Sequence, residues 1–214
     1  MKSDVLKEKF GLLPSSSALQ KCEKFIELFK EYNSHTNLMS KNDLSVIFEK
    51  HIVDSLSVFM FKEFQNCEII LDIGTGGGFP AVPISIFSED KQVFAVDSIR
   101  KKIRFIESAK EELSLKNLTP LCSRIESLGK DYFKKFDLVV SRALGDLEKL
   151  TKYSAPYLKK GGYLCAYKSK SAKEELTTAE KVIKKSGFEY VESIPYEINL
   201  KENFERVLVL LRRA

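Results

Sequence analysis

Four residues in one short segment have the types and the spacing that could hold a nucleoside cofactor. An apolar run, 69–71, ends in Asp72 and is followed by Gly74, Gly76 and Gly78 in the sequence DIGTGGGF. A strand that ends in an acid and turns through glycines into a helix leaves bare backbone for a ligand at the carboxyl end of a sheet. A turn that binds nothing is the alternative, but so many glycines beside an acid favour a cofactor loop.

A second acid, Asp97, ends the next apolar run, 93–96. It follows the glycines at a spacing of about 20 residues, at which an acidic side chain accepts hydrogen bonds from ribose hydroxyls. The dinucleotide pattern G-x-G-x-x-G that begins at Gly74 requires a glycine where this chain has Phe79. The loop therefore disfavours NAD. It resembles instead the acid-x-Gly-x-Gly-x-Gly loop of class I S-adenosylmethionine methyltransferases.

The elements that position these residues alternate between strand and helix patterns from residue 68 onward. Strands are predicted at 69–73, 92–97, 118–122, 137–142, 163–168, 189–198 and 205–211. Helices are predicted at 81–88, 99–115, 146–158 and 172–186, with Gly161-Gly162 and Gly187 as stops. This order predicts an α/β fold of the class I methyltransferase type. Its Rossmann-like sheet would have seven mostly parallel strands, helices on both faces and an antiparallel edge hairpin.

The first 65 residues have a helical periodicity instead. Ser17, with Gln20 as a capping box, is predicted to begin a helix that runs to Tyr32. Asp43 is predicted to cap a second helix, whose apolar stripe covers 44–59. We therefore predict a helical extension at 1–65, packed on a cofactor-binding catalytic domain at 66–214.

Composition and charge limit the partners. The 214 residues include 35 Lys and Arg against 30 Asp and Glu, a net charge of +5 that permits an anionic partner without requiring one. The cysteines are widely spaced and the histidines are few, so we expect neither a metal site nor a disulfide framework. The N-terminus has no signal-peptide pattern and no run has membrane-spanning length. We expect a soluble cytoplasmic protein, monomeric, with no membrane contact.

Further candidate site residues follow the third and fourth predicted strands. Ile125 and Glu126 occupy the place of adenine contacts in class I methyltransferases, although an acid such as Glu126 could also simply open a helix. Arg142 ends the fourth strand, where those enzymes place acceptor chemistry, and its guanidinium offers a rigid fork of donors. It could equally form an ion pair that holds strand ends together. The segment lacks Asn-Pro-Pro-Tyr and Pro-Cys motifs, which favours an acceptor with an exposed lone pair, such as guanine N7.

The N-terminal helices add a polar group. His51 and Asp54 are three residues apart and share a helix face, so they could face the cofactor or form a structural pair. Taken in order, the motifs YN…NL, HIVDSL, DIGTGGGFPAVPI, R-x-E and SRAL resemble the RsmG (GidB) family from about residue 30 to the end of the chain. Members of that family are bacterial small-subunit rRNA guanine-N7 methyltransferases.

The resemblance implies S-adenosylmethionine as cofactor and a guanosine of 16S rRNA in the small ribosomal subunit as acceptor. It places Asn33, His51 and Arg142 in the catalytic site. The cofactor contacts that it implies are Gly74, Phe79, Ile125, Glu126 and Arg142, with Asp97 as the ribose ligand. The chain has Ala81 where the family usually has glycine, and Ser169 where Lys-Gly is common.

Basic residues near the cofactor edge are predicted to contact the RNA. Arg100 and Lys101 open the helix after Asp97, and Lys168 and Lys170 follow the fifth strand. Both segments start at the edge that holds the cofactor, so both could reach phosphates. A solvated helix face explains the first pair equally well. Two other functions stay open: a methyltransferase for a small molecule or another RNA, and a non-catalytic binder of S-adenosylmethionine or a nucleotide.

Overall fold

The computed structural model describes residues 2–36, 38–198 and 204–214 of the chain. A seven-stranded sheet with the order β3-β2-β1-β4-β5-β7-β6 forms its centre. The strands are β1 Ile69–Ile73, β2 Gln92–Asp97, β3 Leu118–Cys122, β4 Phe136–Arg142, β5 Leu158–Ser169, β6 Phe188–Ile198 and β7 Phe204–Arg213. The first five pair in parallel, and β7 pairs antiparallel with both β5 and β6. The predicted sheet and its antiparallel edge are confirmed.

Helices cover the sheet on both faces. They are α1 Lys2–Phe10, α2 Ser16–Thr36, α3 Lys41–Ser45, α4 Asp54–Leu56, α5 Ala81–Phe87, α6 Arg100–Glu112, α7 Leu147–Ser154 and α8 Ala172–Lys185. A π-helical stretch, Phe48–Val53, joins α3 to α4, and short 3-10 helices lie at Ser57–Met60, Lys62–Asn66, Ile125–Ser127 and Lys130–Tyr132. None of the described helices is long and apolar enough to cross a membrane.

Both predicted N-caps are wrong by a few residues. Helix α2 begins after Ser15, whose Oγ accepts a hydrogen bond from the amide of Ala18 at 3.1 Å. Three adjacent serines offer the same hydroxyl, so sequence alone does not distinguish among them. Ser40, and not Asp43, caps α3 by accepting from the amide of Asp43 at 3.2 Å.

Other predicted boundaries also differ, among them the start of β5, which lies at Leu158 and not at 163, and the end of α6, which lies at Glu112 and not at 115. The helix predicted over 44–59 is divided into α3, the π-helical stretch, α4 and a 3-10 turn. Helix α7 ends at Ser154, before Pro156, and Gly161-Gly162 lie inside β5 and do not stop a helix. Gly187, with φ of 73°, follows α8 as predicted. Asn37 of the YN…NL motif lies outside the described residues.

The N-terminal helices share one hydrophobic core with the sheet. Phe25 and Phe29 of α2 are buried in the same cluster as Ile70 of β1 and Val93 of β2. A second cluster, on the other face, joins the sheet to α7 and α8. Burying a side chain of this size contributes about 1.5–3 kcal/mol. The helices therefore pack directly on the sheet, while the boundary at residue 65 stays a prediction.

Candidate active site

A cleft of about 750 Å³ opens at the carboxyl ends of β1, β2 and β4. Its walls are the glycine loop, the end of β2, the segments 123–126 and 142–144, residues 38–40 and His51. In a parallel sheet this edge, where the strand order reverses between β1 and β4, is the usual place for a ligand. The cleft lies where the sequence predicts the cofactor.

The glycine loop reaches the cleft through left-handed backbone. Gly74 and Gly76 have φ of 76° and 60°, which residues with a Cβ rarely adopt. A Cβ on Gly74 would lie 2.8 Å from Leu144 Cδ1, and one on Gly77 would lie 2.5 Å from Phe29 Cε2. Beside Gly76 the space is open: apart from its chain neighbours, the nearest described atom to a Cβ placed there is the carbonyl oxygen of Gly74, at 4.0 Å. The loop therefore offers a ligand the bare backbone of Gly76.

Asp97 ties this loop to the end of β2. Its Oδ2 accepts from the amide of Gly76 at 3.0 Å, and its Oδ1 accepts from the amide of Ile99 at 2.9 Å. The ammonium of Lys102 lies 3.3 Å from Oδ2. A carboxylate has about four lone-pair sites, so an acceptor position remains on Asp97 for a ligand hydroxyl in the cleft that this residue lines.

Asp72 and Gly78 lie behind the cleft wall and are not among the residues that line it in the described structure. Asp72 is fully buried, and its Oδ2 accepts from the amide of Ala81 at 3.2 Å. Burial raises the pKa of Asp72 to about 7. A Cβ on Gly78 would lie 2.7 Å from Val82 Cγ2, so this glycine permits α5 to pack closely. Both residues therefore support the packing between the glycine loop and α5, outside the cleft itself.

Arg142 is held in the cleft wall between a carboxylate and an aromatic ring. Its Nη1 lies 3.1 Å from Oδ2 of Asp54, and its Cζ lies 5.2 Å from the ring centroid of Phe79. The Phe79 ring packs in turn against Phe29 and His51, at centroid distances of 5.3 and 5.4 Å. The ion pair anticipated from the sequence therefore exists, but its acid comes from α4 rather than from another strand end.

His51 lines the cleft without any partner for its ring nitrogens in the described structure. Burial and the positive charge of Arg142 lower the pKa of His51 to about 4. The imidazole is therefore neutral at pH 7, with one nitrogen able to donate and the other able to accept. A structural pair with Asp54 does not form, because that carboxylate is occupied by Arg142, Tyr196 and Arg206.

Ile125 and Glu126 line the opposite wall. Ile125 is buried, and its carbonyl accepts from the hydroxyl of Tyr157. Glu126 is exposed and accepts from the hydroxyl of Tyr153 at 2.6 Å, a hydrogen bond that lowers the pKa of Glu126. The wall therefore presents an apolar side chain beside an ionised acid.

Known proteins of similar sequence identify the family. A family model described as GidB, rRNA small subunit methyltransferase G, matches residues 18–202. The chain belongs to the GidB family. It is 34% identical over 185 residues to the ribosomal RNA small subunit methyltransferase G of Clostridium tetani, covering 84% of this chain and 77% of that protein. The protein of the same description from Lachnoclostridium phytofermentans is 34% identical over 206 residues, covering 95% and 85%.

Solved structures agree on the fold. TYW2 of M. jannaschii, in complex with AdoMet, matches with a TM-score of 0.57 and 15% identity over 69% of each chain. A precorrin-6y C5,15-methyltransferase from Geobacter metallireducens matches with a TM-score of 0.54 and 15% identity, covering 84% of this chain and 92% of that one. At such identities the similarity supports the class I methyltransferase fold alone.

Asn33, which the GidB resemblance implies in catalysis, is placed behind the cleft. It is buried; its Nδ2 donates to the carbonyl of Met39 at 2.9 Å and its Oδ1 accepts from the amide of Met39 at 2.7 Å. This double hydrogen bond fixes the segment after α2, so that Leu38 and Met39 line the cleft. The amide thus positions the wall, and its catalytic role stays a prediction.

The structure does not bring the predicted RNA-binding residues together. Lys168 is largely buried; its ammonium donates to the carbonyl of Gly145 at 2.7 Å and lies 2.8 Å from Glu175 Oε2, so it is engaged inside the protein. Lys170 and Arg100 are exposed outside the cleft, and so is Lys101, whose ammonium contacts the carbonyl of Thr36 at 3.4 Å. The basic side chains that do line the cleft are Lys102, Arg124, Arg142 and Lys149. Of these, Arg142 was predicted as a site residue from the end of the fourth strand, and Arg124 belongs to the R-x-E motif.

His51 gives a testable pH dependence. The pKa of His51 lies below 6.5 in the folded protein, so the unfolded state binds a proton more readily. The neutral imidazole therefore contributes to stability above pH 6.5, and this contribution is lost as the pH falls towards 4. We expect a loss of about 3 kcal/mol in the free energy of unfolding over this range. His51→Gln should remove that part of the pH dependence in urea titrations, whereas His35→Gln, at an exposed site, should not. An unchanged slope in His51→Gln would contradict a buried neutral imidazole.

Proposed function

We propose that the protein transfers a methyl group from S-adenosylmethionine to N7 of a guanosine in the 16S rRNA of the small ribosomal subunit. The observation that carries this proposal is the open cleft over a left-handed glycine loop in a chain of the GidB family. We place the protein in the cytoplasm, where this substrate would be found. We infer that the protein acts as a monomer.

The residues of the cleft fit S-adenosylmethionine. The open space beside Gly76 allows close approach to bare backbone. The buried carboxylate of Asp97 lines the cleft and retains an acceptor site for ribose hydroxyls. The apolar side chains of Ile99 and Ile125 line the same cleft and suit the faces of a purine. When bound, this cofactor supplies an electrophilic methyl group. We infer that Gly74, Gly76, Phe79, Asp97, Ile125 and Glu126 hold it.

The chain's own residues would act by positioning. Guanine N7 already carries a lone pair, so its methylation requires alignment of the base and not removal of a proton. Arg142 presents donors to the cleft from a fixed position between Asp54 and Phe79. His51 offers a neutral hydrogen-bonding group to the substrate without adding charge. The buried Phe79 ring between them helps to keep water out of this corner.

Asp97 should contribute measurably to cofactor affinity. We expect Asp97→Ala to weaken S-adenosylmethionine binding by about 1–3 kcal/mol, because hydrogen bonds to a charged acceptor are lost. Asp137→Ala is a matched control: Asp137 also accepts from two backbone amides and pairs with a lysine, but it does so at the other edge of the sheet. Calorimetry should show near-normal affinity for the control. Equal affinities for both variants would mean that the ribose is held elsewhere.

The exposed basic residues should carry part of the RNA affinity. Neutralising Lys170 and Arg100 together should flatten the dependence of log K on log salt by about one to two units, if both contact phosphates. The control removes Lys184, an exposed lysine at the distal end of α8, paired with Glu180. Binding to rRNA fragments is measured over a salt series. A slope identical to wild type would assign Lys170 and Arg100 to solvated surface.

Labelled methyl transfer tests the proposed substrate. The purified protein is given S-adenosylmethionine with unmodified small subunits, free 16S rRNA or tRNA. We expect incorporation into ribosomal substrate and none into tRNA. Incorporation into tRNA or a small molecule alone would favour the other methyltransferase alternative, and cofactor binding without any transfer would favour a non-catalytic binder.

A further inference from the structure

A buried carboxylate joins the cleft to the far edge of the sheet. Asp54 is 3% exposed and does not itself line the cleft. Its Oδ1 accepts from the hydroxyl of Tyr196 at 2.6 Å and from Nε of Arg206 at 3.2 Å. Its Oδ2 accepts from Nη1 of Arg142 at 3.1 Å. One acid thus links an arginine of the cleft to two residues of the C-terminal hairpin.

The hairpin presents those two residues as a pair. Tyr196 of β6 and Arg206 of β7 lie opposite each other in register, and both side chains meet Asp54 from the same side of the ribbon. Neither residue lines the cleft in the described structure. Their hydrogen bonds to Asp54 therefore have no direct role in holding a ligand.

The buried charges of Asp54, Arg142 and Arg206 do not balance. One carboxylate is shared by two guanidinium groups, all of them at least three-quarters buried, which leaves an excess positive charge. Among the described residues Asp54 is the one hydrogen-bond acceptor found for Arg142, so the remaining donors of its fork are free for the cleft. A shared buried carboxylate with several partners has little freedom to rotate.

We propose that Asp54 is a positioning residue that fixes the Arg142 guanidinium in the cleft, and that Tyr196 and Arg206 fix Asp54. The C-terminal hairpin then sets the geometry of the methyl-transfer site without contacting a ligand. This inference rests on the proposed function of Arg142. A group that merely stabilises the hairpin would lower the melting temperature and leave the orientation of Arg142 unchanged.

A double-mutant cycle separates the two roles. Asp54→Asn should lower the single-turnover rate of methyl transfer at least about tenfold, and Arg142→Lys more. If Asp54 acts through Arg142, the double variant should be no slower than Arg142→Lys alone. If the double variant is slower than Arg142→Lys by the full factor seen for Asp54→Asn alone, the two residues act independently and the proposal is overturned.

A milder variant guards against loss of folding. Tyr196→Phe removes one hydroxyl from Asp54 and should slow transfer about threefold or more. Tyr167→Phe is the matched control, since its buried hydroxyl donates to the carbonyl of Ser55, beside Asp54, at 2.7 Å. It should stay within about twofold of wild type. Equal rates for both variants, with only the melting temperature lowered, would overturn the proposal.

The mobility of the Arg142 guanidinium can be measured by NMR without any catalysis, and this measurement distinguishes the inference from the proposed function. The 15N signal of the Arg142 guanidinium is assigned by its loss in Arg142→Lys. Rotation about its Cζ–Nε bond should be restricted in the wild type and in Tyr167→Phe, and faster in Asp54→Asn and Tyr196→Phe. If no rRNA is methylated but this pattern holds, the proposed function fails and the positioning role stands. Unchanged rotation in both Asp54→Asn and Tyr196→Phe would remove Asp54 from that role.

Discussion

Replacing Arg142 by lysine should slow methyl transfer by about two orders of magnitude or more, with little loss of stability. The lysine ammonium can keep the ion pair with Asp54, but it lacks the planar fork and the stacking on Phe79. The donors that the guanidinium directs to the cleft would be lost. Single-turnover rate and melting temperature are measured on the same sample.

The control for this substitution is Arg212→Lys. Arg212 also stacks on an aromatic ring, with Cζ 5.9 Å from the centroid of Tyr163, but at the opposite end of the sheet. It should retain normal turnover. A fully active Arg142→Lys variant with a lowered melting temperature would make Arg142 a structural residue and remove it from the site.

Replacing Gly76 by valine should abolish binding of S-adenosylmethionine and S-adenosylhomocysteine. The branched side chain would fill the open space beside the loop, where we place the ligand. It would also strain a backbone with φ of 60°, at a cost of about 1–2 kcal/mol. Calorimetry should detect no heat of binding for either ligand, and negligible binding of NAD to the wild type.

A second variant serves as a control for the backbone strain in Gly76→Val. Gly11, between α1 and α2, has φ of 65°, and apart from its chain neighbours no described atom lies within 4 Å of a Cβ position there. Gly11→Val therefore carries the same backbone cost outside the cleft. It should lower stability while cofactor affinity stays normal. Full affinity in Gly76→Val, or equal losses in both variants, would contradict a ligand beside Gly76.

The strands and the glycine loop were predictable because their signals are local. Apolar runs that end in Asp72 and Asp97 give the strand positions, and Phe79 distinguishes the loop from a dinucleotide site. The sheet edge that holds the cleft follows from strand alternation alone. These parts of the site needed no knowledge of distant contacts.

The remaining parts depend on contacts between distant segments. Lys168 lies at the end of a strand near the cleft, yet its ammonium pairs with Glu175 and donates to a backbone carbonyl, contacts that no local pattern reveals. Asp54 was expected beside His51, but its partners come from β4, β6 and β7. The N-cap of α2 was misplaced for a simpler reason, since three neighbouring serines offer equivalent hydroxyls.

Identification of the methylated base tests the central claim most directly. Small-subunit rRNA labelled by the protein is digested to nucleosides and analysed by mass spectrometry beside authentic standards. We predict 7-methylguanosine as the labelled product, formed by the wild type and by Arg212→Lys and strongly reduced in Arg142→Lys. Label on another base, on another atom of guanine or on ribose would contradict the account.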